Sequence, residues 1–259
     1  MRRIHLAVLL VILGTALAAC YPLQSPAPLP TDTPLPPTVT PTPTIVWFPP
    51  TPTPSPVPTS TVQVTPTADT SPKYGSLLFA DSFNNPNQWS TGVTGSGSIA
   101  FGKDELSLAV NRSGGYLSSL RSGTKLDNFY AEITASPTLC RGGDEYGLLL
   151  RVSPGMDFYR FSLTCDGQTR LDKYYQGKAS SPHGLASSGS IPRGAPSQSR
   201  LGVLANGRDL NFYINSEFQF TIHDASLPVG GIGVFAHSNG DNAVTVNFSD
   251  LQVYQLGEK

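Results

Sequence analysis

The chain has 259 residues with 17 basic and 18 acidic side chains, a formal net charge of −1. No basic stripe interrupts that balance, so nucleic acid is not an expected partner. With three cysteines, and four histidines (His5, His183, His223, His237) that show no ligand spacing, a closed zinc shell is not expected either.

The chain opens with Arg2 and Arg3, an apolar run from Ile4 to Leu17, and then Ala18, Ala19 and Cys20. The run falls short of the ~20 residues that cross a hydrocarbon core ~30 Å thick, so residues 1–19 read as a cleaved secretory signal rather than a permanent span. Leu17-Ala18-Ala19-Cys20 resembles the bacterial lipobox. That resemblance implies a diacylglycerol on the Cys20 thiol and a chain held on the outer side of a bacterial membrane, in the cell envelope. Two or three acyl chains anchor stably, because each buried CH₂ contributes ~0.8 kcal/mol. An ordinary secretory signal with an incidental cysteine is the alternative. Tyr21 stands where an aspartate would, by resemblance to the sorting rules of diderm bacteria, signal retention in an inner membrane.

Residues 20–72 change composition abruptly and hold 17 of the 24 prolines, with threonine filling most gaps. Repeated Thr-Pro forms neither a helix nor an interior strand, since each proline lacks an N–H and disfavours the helical region in the residue before it. The prediction is an extended polyproline II stalk rising ~3.1 Å per residue, reaching roughly 100–150 Å. Its threonines are candidates for O-glycosylation. Ile45-Val46-Trp47-Phe48 is its one apolar island, read either as a patch resting on the folded domain or as a docking peptide.

Residues 73–259 have the size of one domain. No apolar pattern of period 3.6 runs long enough for a helix, whereas short alternating segments recur between turn residues. The predicted strands are Ser76–Asp81, Ser98–Phe101, Glu105–Val110, Gly115–Leu120, Phe129–Ala135, Tyr146–Val152, Phe158–Thr164, Thr169–Tyr175, Arg200–Ala205, Leu210–Asn215, Glu217–Ile222, Gly231–Ala236 and Val244–Tyr254. Many short strands with tight connections predict an all-β sandwich of two antiparallel sheets. The clearest hairpin turns at Asn215, which tolerates the positive φ of a two-residue turn. Phe218, Phe220 and Ile222 are expected on one face of its second strand. The segment Ser181–Pro196, rich in serine, glycine and proline, is expected to be a long loop.

Asp81-Ser82-Phe83, Asp166-Gly167, Ser199-Arg200-Leu201-Gly202-Val203, Asn206-Gly207, the hairpin at Asn215-Ser216, Gly231-Ile232-Gly233-Val234 and Val246–Tyr254 follow in that order. Together they resemble the jelly roll of the concanavalin A-like lectins and glucanases. The nearer likeness is to laminin G-like domains and to domains of the 3-keto-disaccharide hydrolase type. Ser216 departs from the Asn-Gly usual at that hairpin. The resemblance implies a twisted sandwich, one sheet of which often carries a carbohydrate site. It also suggests a structural calcium ion where the first and last strands meet, near Asp81 and Asp250, although both carboxylates are read first as turn caps.

Cys140 and Cys165 are the only cysteines of the domain, and outside a cell such a pair is expected to form a disulfide. Catalysis is disfavoured. Glycosidases of this fold place paired carboxylates on alternate positions of one strand, and no such run occurs; Asp144 and Glu145 are adjacent and should face opposite ways. No catalytic residue is assigned. A sugar site needs aromatic faces and planar polar groups, and the candidates are Tyr146, Arg151, Arg160, Tyr174 and Tyr175, with His183 and Arg193 next. Arg151 should face away from Leu148, Leu150 and Val152, Arg160 lies between core-like Tyr159 and Phe161, and Tyr174 and Tyr175 cannot both face the same way. Three functions remain open: a surface-tethered module for a polysaccharide or glycoconjugate, a laminin G-like domain that binds an envelope protein, and a 3-keto-disaccharide-type hydrolase.

Overall fold

The computed structural model of the chain describes residues 72–256. The expected signal segment, the lipid site Cys20, the stalk up to residue 71 and its Ile45–Phe48 island lie outside these residues. Among the described residues there are fifteen strands and no helix. They are β1 (Leu77–Asp81), β2 (Gly92–Thr94), β3 (Gly97–Phe101), β4 (Leu106–Val110), β5 (Tyr116–Leu120), β6 (Phe129–Leu139), β7 (Glu145–Val152), β8 (Phe158–Thr164), β9 (Gln168–Tyr175), β10 (Lys178–Ser187), β11 (Ser199–Asn206), β12 (Asp209–Ile214), β13 (Glu217–His223), β14 (Gly231–His237) and β15 (Val244–Gln255).

Two antiparallel sheets hold them. One has nine strands in the order β13-β12-β11-β6-β15-β4-β3-β2, with β1 pairing to β15 beside β4. The other has six, in the order β10-β9-β8-β7-β14-β5. The alternation that predicted the strands also builds the core. Leu148 and Leu150 of β7, Phe161 and Leu163 of β8 and Val234 of β14 meet Leu108, Ile133, Val203, Phe212 and Phe248 of the larger sheet, all fully buried or within 1% of it. Burying side chains of this kind contributes about 1.5–3 kcal/mol each.

All thirteen predicted strands are present. The Asn215-Ser216 turn has φ of 52° and 68°, the doubly positive pair of a type I′ hairpin, with Ile214 opposite Glu217. Cys140 and Cys165 form the expected disulfide, with Cα atoms 5.9 Å apart, tying the end of β6 to the turn after β8.

Two expectations change. Ser181–Pro196 is not a loop throughout, because β10 runs to Ser187 as the edge strand of the six-stranded sheet. Its side chains are mostly exposed, so burial imposes no alternation on them, and its pairing with β9 is interrupted on both sides of His183. Pro182 is tolerated because an edge strand leaves one row of N–H groups unpaired. Phe218 does not share the inward face of Phe220 and Ile222. A register shift between Phe212 and Tyr213 sets Phe218 against Tyr213, ring centroids 5.8 Å apart, and leaves it 41% exposed.

Candidate functional site

Strands β7, β8 and β9 lie side by side in the six-stranded sheet. Along β8, Tyr159, Phe161 and Leu163 point into the core, so Phe158 and Arg160 stand on the sheet's outward face. Register then does the assembling. Arg160 lies opposite Asp172 and Phe158 opposite Tyr174. Arg160 donates to Asp172 at 2.6 Å, and the Phe158 and Tyr174 rings stack at 4.7 Å. Strands β14 and β5 complete the face, with His237 opposite both Tyr116 and Glu145. Tyr116 stacks on Phe235 at 5.7 Å.

The floor is a network of four charges. Arg160 Nη2 also lies 3.5 Å from Glu145, while Arg170 reaches Asp172 at 2.8 Å and Glu145 at 3.6 Å. The Ser181 hydroxyl, brought in by β10, donates to Asp172 at 2.5 Å. Glu145 and Asp172 are only 4% and 2% exposed. Charges this deep persist only when paired. Burial by itself would lower the Arg160 pKa, but the hydrogen bond to Asp172 and the nearby Glu145 outweigh it, and the guanidinium is held above its ordinary range.

Over this floor Tyr116, Phe158, Arg160, Tyr174 and His237 line an open depression of about 420 Å³. The Arg160 guanidinium sits 5.4 Å from the Tyr174 ring centre and 5.5 Å from that of Phe235, so it is flanked by both aromatic pairs. Its Nε has no partner in the protein, nor has Nδ1 of His237. Burial lowers the pKa of His237 and pushes that of the Tyr116 phenol up to about 12. The arrangement offers ring faces for C–H stacking beside hydrogen-bonding groups that lack partners, the two elements of a sugar site. Glu145 and Asp172 approach the same Nη2 at 3.5 and 2.6 Å, so their nearest oxygens are within about 6 Å of each other, close enough for paired-carboxylate chemistry. Both, however, turn those oxygens to guanidinium nitrogens instead of an open position. A larger hollow of about 530 Å³, at the ends of β5, β7 and β14, is lined by Leu120, Val152, Pro154 and Val229. Its Arg121 is already bound to Asp81 and Thr124 and its Ser153 hydroxyl accepts from Asp157 N, which leaves Lys125 as its remaining charged side chain and no aromatic face for a sugar to stack on.

Of the five sugar-site candidates, the fold brings Arg160 and Tyr174 into the depression and places the other three elsewhere. Tyr146 is fully buried between the sheets, its hydroxyl against Ser199 and its pKa pushed up to about 12 by burial. Tyr175 faces the opposite side from Tyr174 and packs at the margin of the main core. Arg151 does not face away from Leu148 and Leu150. It has φ of 50° at a register shift between β7 and β14, which turns it inward, 1% exposed, donating to the carbonyls of Leu227 at 2.9 Å and Asp127 at 2.8 Å. It is a structural tie between two loops. His183 stacks on Phe220 at 3.6 Å, and the exposed Arg193 crosses Gly167. Asp144 and Glu145 do diverge, Asp144 accepting from the backbone N–H groups of Arg141 and Asn239.

The calcium alternative does not fit its residues. Asp81 accepts from Phe83 N, Trp89 Nε1 and Arg121 Nε, and Asp250 accepts from Gln252 and pairs with Arg200 at 2.7 Å. A guanidinium already occupies the place of a cation at each carboxylate. Among the described residues, no group of three or more His, Cys, Asp or Glu side chains gathers as metal ligands.

No family model matches the chain, and no curated protein matches it in sequence. Solved structures do match in shape. A Bacillus subtilis protein of unknown function with a galectin-like fold superimposes with a TM-score of 0.56 at 15% identity, over 72% of this chain and 99% of that one. A Bacteroides ovatus mixed-linkage glucan GH16 protein in complex with a G4G4G3G product gives 0.53 at 12% identity, over 68% and 99%. The catalytic domain of an endo-1,3-β-glucanase (laminarinase) from Thermotoga petrophila gives 0.52 at 9%, over 71% and 98%. The described part of the chain is a jelly-roll β-sandwich of two antiparallel sheets, the fold class that the alternating segments predict.

Proposed function

We propose that the chain is a carbohydrate-binding module, with its ligand on the outward face of the six-stranded sheet, carried on the cell envelope by a lipid on Cys20. The observation that carries the reading is Arg160: a buried guanidinium flanked by two aromatic pairs, with an Nε that no protein atom satisfies, beneath an open depression. A sugar arriving over Tyr116 and Tyr174 would lay its C–H face on their rings and its hydroxyls against the edge of Arg160 that lines the depression. Two of the proteins that share the fold are a glucan GH16 protein and a glucanase, by their own descriptions.

The test is a glycan array probed with the full chain, followed by assay of each hit for product release. Binding without turnover supports the reading. Turnover supports the hydrolase reading instead, and a blank array favours a protein ligand in the envelope. For the anchor, the reading rests on Leu17–Cys20 and the stalk. Cells fed a labelled fatty acid should label the wild-type chain and not Cys20→Ala; equal labelling removes the anchor from the proposal.

A further inference from the structure

The charge balance at the floor of the depression bears on which glycans fit, an inference that rests on the carbohydrate-binding reading. Arg160 and Arg170 bring two positive charges, Glu145 and Asp172 two negative ones, and all four cross-contacts fall within 3.6 Å. The other titratable groups that line the depression are Tyr116, Tyr174 and His237. The charged floor therefore sums to zero, with no guanidinium left over.

We propose that this site takes a neutral glycan and rejects uronic-acid and sulfated chains. A ligand carboxylate or sulfate would have to draw Arg160 or Arg170 away from Glu145 and Asp172. Those carboxylates are nearly sealed from water, so a lost partner there is not replaced by solvation. They also repel an incoming anion, at short range and in a partly desolvated setting where screening is weak. What remains unpaired asks for no charge. Arg160 is 9% exposed, and its Nε–H needs an acceptor oxygen; Nδ1 of His237, on the same depression, needs one hydrogen-bond partner. The Tyr116 and Tyr174 rings receive the C–H face of a neutral sugar, and its hydroxyls meet the side chains that line the depression without bringing a charge.

The experiment uses the full chain on an array that carries neutral, uronic, sialylated and sulfated glycans. The strongest neutral hit is then compared by calorimetry with the same polymer oxidised to a carboxylate at its primary alcohol. Hits confined to neutral chains, with at least tenfold weaker binding of the oxidised polymer, are the expected result. Glu145→Gln leaves the shape and removes one negative charge, so it should narrow that gap, whereas Arg170→Gln should widen it. The wild-type comparison decides by itself if either variant folds poorly. Uronic or sulfated chains bound as tightly as neutral ones overturn the inference and leave the glycan reading standing. An array with no hits overturns both.

Discussion

Replacing both Cys140 and Cys165 with alanine should cost the domain about 3.5 kcal/mol. The bridge joins positions 25 apart, and opening a loop of that length returns about 12 cal/mol/K to the unfolded chain, or about 3.5 kcal/mol at 25 °C. Alanine is the choice because Cys140 and Cys165 are 8% and 3% exposed, and a serine hydroxyl there would add a desolvation cost of its own. The loop encloses β7 and β8, whose inward Tyr146, Leu148, Tyr159, Phe161 and Leu163 are fully buried. Packing therefore keeps the hairpin folded without the bridge, and the loss falls on stability while the structure persists. At 2–4 °C per kcal/mol for a domain of this size, the melting temperature should drop by roughly 7–14 °C. Guanidinium unfolding followed by circular dichroism measures it, on the wild type with and without reductant and on the double alanine chain. A lower midpoint with a somewhat steeper slope is expected, because the unbridged unfolded chain exposes more surface. A loss below 1 kcal/mol would refute the reasoning, because it would mean that the unfolded chain already holds these two positions close together.

Three further outcomes follow from particular contacts. Ser216→Gly should stabilise the β12–β13 hairpin by about 0.5–1 kcal/mol, since Ser216 sits at φ 68° and a left-handed residue other than glycine costs about 1–2 kcal/mol, part of which glycine's entropy returns; a denaturant midpoint that falls would contradict it. Arg151→Met should lose about 2–4 kcal/mol by leaving the Leu227 and Asp127 carbonyls without donors, and glycan affinity of the folded protein should be unchanged. Burial by itself would raise the Asp224 carboxyl, but hydrogen bonds from Lys173 and Ser226 hold it at about 2, below the ~3.9 of an unfolded aspartate. Its contribution is thus present above about pH 4 and lost as the pH falls toward 2. Thermal midpoints of Lys173→Met should decline less over that window than those of the wild type, and parallel declines would sink the assignment.

Much of the sandwich is legible in the sequence because burial writes itself into alternation: the order Tyr159, Arg160, Phe161 by itself assigns the inward and outward faces of β8. The site is only half legible. Arg160 and Tyr174 stand out as side chains, but Tyr116 and His237 reach them through the β5–β14–β7–β8–β9 order, which no local pattern encodes. Glu145 and Asp172 look like unrelated single acids in the sequence; register sets Asp172 opposite Arg160, whereas Glu145 lies opposite Thr164 and is met only because the Arg160 side chain reaches along the face past Gly147 and Ser162. The misplacements share a cause. Arg151 and Phe218 lie at register shifts, where one extra residue reverses the face that strict alternation predicts. Strand β10 lies at an edge, where nothing apolar needs to alternate. Asp81 resembles a calcium ligand because its carboxylate is indeed engaged at the first strand, but by Arg121 and Trp89.

The decisive measurement is titration calorimetry of the strongest array hit against the full chain carrying Tyr174→Ala, Tyr116→Ala or Tyr175→Ala. Tyr174 and Tyr116 line the depression, while Tyr175 packs on the other face of the same sheet. Loss of at least tenfold in affinity, about 1.4 kcal/mol, for Tyr174→Ala and Tyr116→Ala, with Tyr175→Ala close to wild type, is the predicted result. Wild-type affinity in Tyr174→Ala and Tyr116→Ala would contradict it and move the ligand off the outward face of the six-stranded sheet.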